Sequence, residues 1–222
     1  MAGHPRDDRN KKIGPRQGGN EPPCWGRMYI TLVIAGEYMA KKGDPFFIRG
    51  QVIVTADQTR RENTIDLGTY VNLGINKGTA LRVHSVQQQI CDSTGLVPII
   101  DGAAAAAVQR GAFANTAITT APVPSSFAAS EMPQLSEDYV MYSSGVSATN
   151  GNTDADNGLM THDYDVAPQD LRQGYLLAVD TLYMYGVADD AWNEDLYVNF
   201  LLECTLESIS QASAVSLSLS QV

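Results

Sequence analysis

The chain has 222 residues, 44% of them hydrophobic, and its 25 acidic residues against 15 Lys and Arg give a formal net charge of -10. This length and apolar content suit one large folded domain and exclude a chain that is disordered throughout. No apolar run reaches the roughly 18–20 residues of a membrane-spanning helix, so no transmembrane segment is expected. The basic N-terminus has no apolar stretch close behind it, so we also expect no secretory signal peptide.

Charge is distributed unevenly along the chain. Residues 1–27 carry six Lys or Arg and three acids, a net of +3, whereas residues 111–222 carry one Arg against fifteen acids, a net of -14. This contrast, with Gly and Pro scattered among the first residues, predicts a basic N-terminal arm over residues 1–26. Its expected partner contacts are Arg6, Arg9, Lys11, Lys12 and Arg16. The acidic half is either a solvated surface or a face that meets the arm of a neighbour.

Strand patterns dominate the first half of the chain. Runs rich in β-branched and aromatic residues predict four strands, over residues 27–38, 46–57, 63–75 and 79–91. In the second of these, one parity is mostly apolar and is predicted to face a core: Phe46, Ile48, Val52 and Val54.

A helix signal interrupts this pattern. Asp101 can cap a helix, five alanines favour one, and Gly111 can end it, so one short helix is predicted over residues 101–111. Beyond it, the composition predicts a loop over 121–133, a short strand over 137–145 and a long polar loop over 146–159.

The clearest strands come last. Residues 174–186 and 195–210 predict two long strands, and the second alternates strictly between apolar and mixed positions. The predicted buried side chains of that strand are Leu196, Val198, Phe200, Leu202 and Cys204. The folded domain is therefore expected to span residues 27–210. Residues 211–222 form a C-terminal extension that either ends a strand or docks on the domain.

About eight strands with one inserted helix predict an all-β fold, a jelly-roll-type sandwich or barrel. The arm at 6–16 and the closing segments "LLAVDTLYMYG" and "LYVNFLLECTLESIS" resemble the layout of single jelly-roll capsid proteins of tailless icosahedral DNA viruses. The resemblance implies a structural protein that self-assembles into a shell, located in the virion. Its implied partners are copies of itself and other capsid proteins. The arm would contact a neighbouring subunit, nucleic acid or an internal membrane surface.

The sequence contains little that points to chemistry. It has no Gly-x-Ser-x-Gly elbow and no Cys-x-x-Cys pair, so neither an enzyme nor a cofactor is expected. One loop alternates oxygen-bearing side chains in the way that calcium favours, and its candidate ligands are Asn152, Asp154, Asp156 and Asp163. A solvated turn has the same composition. The alternative function is therefore a cell-surface or carbohydrate-binding β-module with an optional calcium site.

Overall fold

The computed structural model describes residues 43–74, 78–100, 111–149 and 159–221. These residues contain nine strands, one single-turn 3-10 helix at Pro168–Asp170 and one α-helix, α1, at Gln211–Leu219. The strands are β1 (Phe46–Val54), β2 (Arg61–Asp66), β3 (Gly78–Cys91), β4 (Gly111–Thr119), β5 (Val140–Thr149), β6 (Leu159–Val166), β7 (Tyr175–Leu177), β8 (Thr181–Ala188) and β9 (Leu196–Ile209).

The strands form two antiparallel sheets. The first has the order β1-β9-β3-β7 and the second has the order β2-β8-β4-β5-β6. The chain crosses repeatedly from one sheet to the other, and the last strand, β9, lies between β1 and β3. This winding of eight strands over two sheets is that of a jelly roll, with β6 as a ninth strand. The predicted all-β jelly-roll sandwich is therefore confirmed.

The core lies between the two sheets and follows from the alternation of apolar residues. In β9, the five predicted side chains from Leu196 to Cys204 are all buried, none more than 2% exposed. In β1, Ile48, Val52 and Val54 face the same interior. The two sheets approach so closely at Gly186 that a Cβ there would lie 2.3 Å from Val54 Cγ2. Each fully buried aliphatic side chain stabilises the fold by about 1.5–3 kcal/mol.

The prediction of one continuous strand over residues 174–186 is wrong in one respect. The segment forms β7 in the first sheet and β8 in the second, with a break at 178–180. At this break the backbone carbonyl of Asp180 accepts a hydrogen bond from Leu67 N at 2.6 Å. The apolar pattern continues through the break because both strands contribute to the same core.

Other boundaries also differ from the sequence prediction. The strand predicted over 63–75 ends at Asp66, and the loop predicted from 146 is still part of β5 up to Thr149. Neither β4 nor β6 was predicted, since small and polar residues mask their period of two. The C-terminal extension includes α1, whose N-terminal Ser210 accepts a hydrogen bond from Ser213 N through its side chain.

Some predictions fall on parts of the chain that the structure does not describe. These are the arm, the strand over 27–38 and the helix over 101–111, of which only Gly111 is described, as the first residue of β4.

The buried aromatic ring of β9 gives a direct test of this packing. Phe200 is 2% exposed and meets the Tyr142 ring edge-on, with 5.8 Å between centroids. We expect Phe200→Ala to lower the free energy of unfolding by about 3–5 kcal/mol, because it leaves a cavity between the sheets. Urea denaturation measures this. The control Ile53→Ala, on the exposed side of β1, should change stability by less than about 0.5 kcal/mol. A loss for Phe200→Ala as small as the control's would contradict the placement.

Candidate functional site

Most of the sequence-predicted site residues lie outside the described residues. This holds for the five basic residues of the arm and for Asn152, Asp154 and Asp156. The fourth candidate calcium ligand, Asp163, lies in β6, where its Oδ1 accepts a hydrogen bond from Ser147 Oγ at 2.8 Å. Within the described ranges, no three His, Cys, Asp or Glu side chains gather as a metal site would require. The calcium site and the arm contacts therefore remain predictions.

The outer face of the four-stranded sheet carries a row of amide side chains. Gln51, Asn199 and Gln89 are register partners on β1, β9 and β3, and Gln51 Nε2 donates a hydrogen bond to Asn199 Oδ1 at 2.7 Å. With Arg49 and Gln87 they line a shallow depression of about 560 Å³. The row offers hydrogen-bond donors and acceptors but no nucleophile, so it suits binding better than catalysis. The run "QQQ" at 87–89 was the only sequence signal for it.

A charged patch lies further along the same face. Arg82 donates to both carboxylate oxygens of Glu207, to one of them from Nη2 at 2.9 Å. Beside this pair, His84 Nε2 lies 2.8 Å from Thr205 Oγ1. The hydrogen bond from Arg82 is the main cause that lowers the pKa of Glu207, and the same bond raises the pKa of Arg82. The patch ties β3 to β9 across the sheet.

A polar cluster is buried between the sheets. Gln88 of β3 points inward, and its Oε1 accepts hydrogen bonds from Thr116 Oγ1 at 2.9 Å and from the Tyr142 hydroxyl. Burial is the main cause that raises the pKa of Tyr142, so this hydroxyl stays protonated. The cluster is therefore a neutral hydrogen-bond network that joins the sheets, not an acid–base site.

The outer face of the five-stranded sheet is partly covered by the chain between β4 and β5. Tyr185 on β8 points outward, yet it is only 1% exposed. Its hydroxyl accepts a hydrogen bond from Val123 N at 3.0 Å. The Arg60 guanidinium lies 5.8 Å from the centre of its ring. The two outer faces of the sandwich thus differ, because one is an open polar surface and the other is overlaid by a loop.

Side-chain amides satisfy the backbone at one margin of the four-stranded sheet. At β7, Gln221 Nε2 donates to Leu176 O at 2.6 Å and its Oε1 accepts from Ala178 N at 3.0 Å. Where β3 extends beyond the short β7, the Gln169 side chain pairs in the same way with both N and O of Val86, at 2.9 and 3.1 Å. Each glutamine therefore takes the place of a strand residue along an edge.

The margin formed by β1 and β2 is bridged as well. Asn63 of β2 donates from Nδ2 to Gln51 O of β1 at 2.7 Å, and its Oδ1 accepts from Thr64 N at 2.9 Å. One side chain thus contacts backbone groups of both outer strands. Exposed strand edges attract other chains, so covering them limits unwanted pairing.

The margin formed by β6 differs. Seven of its eight residues are exposed, including Leu159, Tyr164 and Val166. Among the described residues, β6 pairs only with β5. Its outer edge is therefore the most open strand edge of the described sandwich.

Comparisons with known proteins return structural neighbours alone. No protein-family model matches the chain, and no curated protein matches it in sequence. VP1 of Trichodysplasia spinulosa-associated polyomavirus, in complex with sialylated precision glycooligomers, matches at 12% identity and a TM-score of 0.46, over 75% of this chain and 95% of that chain. Merkel cell polyomavirus VP1 in complex with disialyllactose matches at 8% identity and a TM-score of 0.47, over 76% and 96%.

A third neighbour is the Merkel cell polyomavirus virus-like particle, at 8% identity and a TM-score of 0.41, over 90% of this chain and 83% of that chain. TM-scores below 0.5 do not establish a relationship to these proteins. Along the described ranges, no helix has the length and hydropathy to cross a membrane.

The Gln221 contacts predict a measurable role in stability. Ala178 is 1% exposed, so Gln221→Ala would leave the backbone N–H of Ala178 buried without a partner. We expect a loss of about 1–3 kcal/mol in the free energy of unfolding and faster hydrogen exchange at Ala178 N–H. Ser216→Ala, at an exposed position of α1, is the matched control and should leave this exchange unchanged. Unchanged exchange in Gln221→Ala would refute the role.

The ion pair between Arg82 and Glu207 predicts a pH dependence. The folded-state pKa of Glu207 is below its ordinary value of 4.5. The pair therefore contributes stability above that pH and loses it as the pH falls through the lower, folded-state value. Because both side chains are partly exposed, at 18% and 38%, the contribution should be about 0–1 kcal/mol.

The difference in unfolding free energy between wild type and Glu207→Gln should therefore be largest near neutral pH and shrink in acid. Urea denaturation at a series of pH values measures it. Arg82→Gln removes the cause of the pKa shift of Glu207. Its unfolding free energy should therefore also lose the part of the pH dependence that the ion pair contributes. A difference that does not change with pH would contradict the assignment.

Proposed function

We propose that this protein is a structural protein that self-assembles into a closed shell, as the capsid protein of a virion. The proposal rests first on the jelly-roll order of the sheets, β1-β9-β3-β7 and β2-β8-β4-β5-β6. This fold is shared by viral capsid domains, lectins and cupins. Since a fold does not determine a function, the surface and the charge have to distinguish these classes.

Charge favours assembly. The first 27 residues carry a net +3 and residues 111–222 a net -14. The arm of one copy is thus attracted to the acidic surface of another. Each exposed ion pair contributes only about 0–1 kcal/mol, but repetition over a closed shell multiplies the effect.

Exposed apolar side chains also favour assembly. Leu96 and Val97 are each 68% exposed and Ile99 is 43% exposed, all within one short loop after β3. That loop is held in place, because Asp92 Oδ1 accepts hydrogen bonds from Thr94 N and Leu96 N. Single exposed apolar residues are common, but a fixed group of them is typical of a contact surface.

The direct experiment is to size the purified full-length protein by light scattering and to image it by negative-stain electron microscopy. The proposal expects regular closed particles of one or a few diameters. A protein that stays monomeric across a range of salt and concentration would refute it.

Deletion of residues 1–20 tests the arm. These residues precede the described sandwich, so we expect a folded domain with near-normal melting temperature but weaker assembly than the full-length chain. The difference should be clearest at low salt and shrink at high salt, where ion pairs are screened. Replacing Arg6, Arg9, Lys11, Lys12 and Arg16 by Gln is the matched control, because it removes charge at constant length. Full particles at normal salt from the truncated chain would show that the arm does not hold subunits together.

The amide row supports a second candidate, carbohydrate binding. Gln51, Asn199 and Gln89 present planar hydrogen-bonding groups side by side on an open face. Such groups match sugar hydroxyls, and precisely placed polar groups determine orientation in many binding sites. A monomer that binds glycans on an array would favour this candidate over the shell.

A further inference from the structure

We infer that the outer edge of β6 is a docking site for an extended segment of a second copy of this chain, residues 28–38, which adds to the five-stranded sheet as a sixth strand. The inference rests on the proposed assembly and names the surfaces that meet. Main-chain hydrogen bonds would supply most of the attraction, as in other cases of strand addition.

The exposed edge itself is the first argument. The five-stranded sheet has one strand more than its partner sheet, and that strand is β6. Of its eight residues only Met160 is not exposed. Alternate backbone N–H and C=O groups of an edge strand point away from the sheet and are available for pairing.

The second argument is the contrast with the other margins. Gln221 and Gln169 occupy backbone groups beside β7 and β3, and Asn63 bridges β1 and β2. Along β6, the described side chains form no such bridge. The hydrogen bonds of Thr161 and Asp163 run back toward Ser147 on β5. Side-chain amides thus bond to the backbone at the other margins of the described sandwich and not along β6, which leaves this edge for a partner.

The third argument concerns the occupant. The stretch "MYITLVIAGEY" at 28–38 has the strongest β-propensity in the chain before β1, yet the described sandwich is built without it. Apolar side chains on β6 offer it partners: Leu159 is 69% exposed and Tyr164 44%. The segment itself carries only Glu37, but Arg27, Lys41 and Lys42 flank it, and β6 carries Asp163 and Asp165.

The length of the connecting chain favours a segment from a second copy over the chain's own segment. Only residues 39–45 connect the segment to β1, and seven residues span at most about 25 Å. β2 and β6 form opposite margins of the five-stranded sheet, four strand spacings apart, or about 19 Å. Asn63 holds β1 beside β2. The chain's own segment would have to cross this width and also turn around the sandwich, whereas a neighbour's segment has no such limit.

Disulfide trapping between two differently tagged chains tests the inference. Both chains carry Cys24→Ser, which leaves only the buried Cys91 and Cys204. One chain adds Thr31→Cys. The other adds a cysteine on β6, at Leu159, Thr161 or Val166 in turn, to sample register. The chains are mixed under assembly conditions, oxidised and separated on a non-reducing gel.

We expect a covalent heterodimer for at least one β6 position, in at least tenfold excess over a Val215→Cys control on α1, which is 49% exposed. A disulfide requires Cα atoms within about 7 Å, so random collision contributes little. No excess at any of the three positions would overturn the inference. A third chain carries Thr31→Cys and the β6 cysteine together. A crosslink within that chain, without heterodimer in the two-chain mixture, would overturn the inference in favour of the chain's own segment.

Light scattering on the same mixtures separates this inference from the proposed function. Regular particles without heterodimer would refute strand addition and leave the shell in place. Heterodimer without particles would support strand addition and refute the closed shell.

Discussion

The pairing of β9 with both β1 and β3 is the contact on which the rest of the fold depends. It joins the last strand of the chain to the first strand of the sandwich, with Val54 opposite Leu196 and Phe46 opposite Cys204. Because β9 lies between β1 and β3, its inward side chains face the opposite sheet, where Phe200 meets Tyr142 of β5. Such long-range pairing is slow to form in folding, because the entropy cost of closing a long loop comes before the stabilising contacts are made. Once formed, it brings together the amide row and the charged patch on the outer face.

The second constraint is that backbone N–H and C=O groups at the sheet margins need hydrogen-bond partners. A two-sheet sandwich leaves edges, and every buried N–H or C=O at an edge needs a partner. Here amide side chains supply several of them. Gln221 does so from the very end of the described chain, so α1 and the two residues after it are part of the fold, not an appendage.

The same constraint gives β6 its significance. Side-chain amides bond to the backbone at the other margins and not along β6, which is the edge at which we propose that a second chain pairs. The open polar face and the fixed apolar loop at 96–99 give it further contact surfaces. Together these features are consistent with a subunit of an assembly, and they place no converging acid, base and nucleophile in one cavity of the described residues.

Sequence alone determined the fold class and the strands with a clean period of two. β1, β3 and β9 were predictable because one face of each is mostly buried, so apolar residues recur at most second positions. β4 was not, since it carries alanine and threonine where the sheets are close, and β6 was not, because neither of its faces is buried. The division of residues 174–186 into β7 and β8 was hidden as well, since both strands contribute to one core and the apolar pattern continues across the break. Only the tertiary structure decided which edges are covered, because Gln221 and Leu176 lie 45 residues apart in sequence and meet only in the folded sandwich.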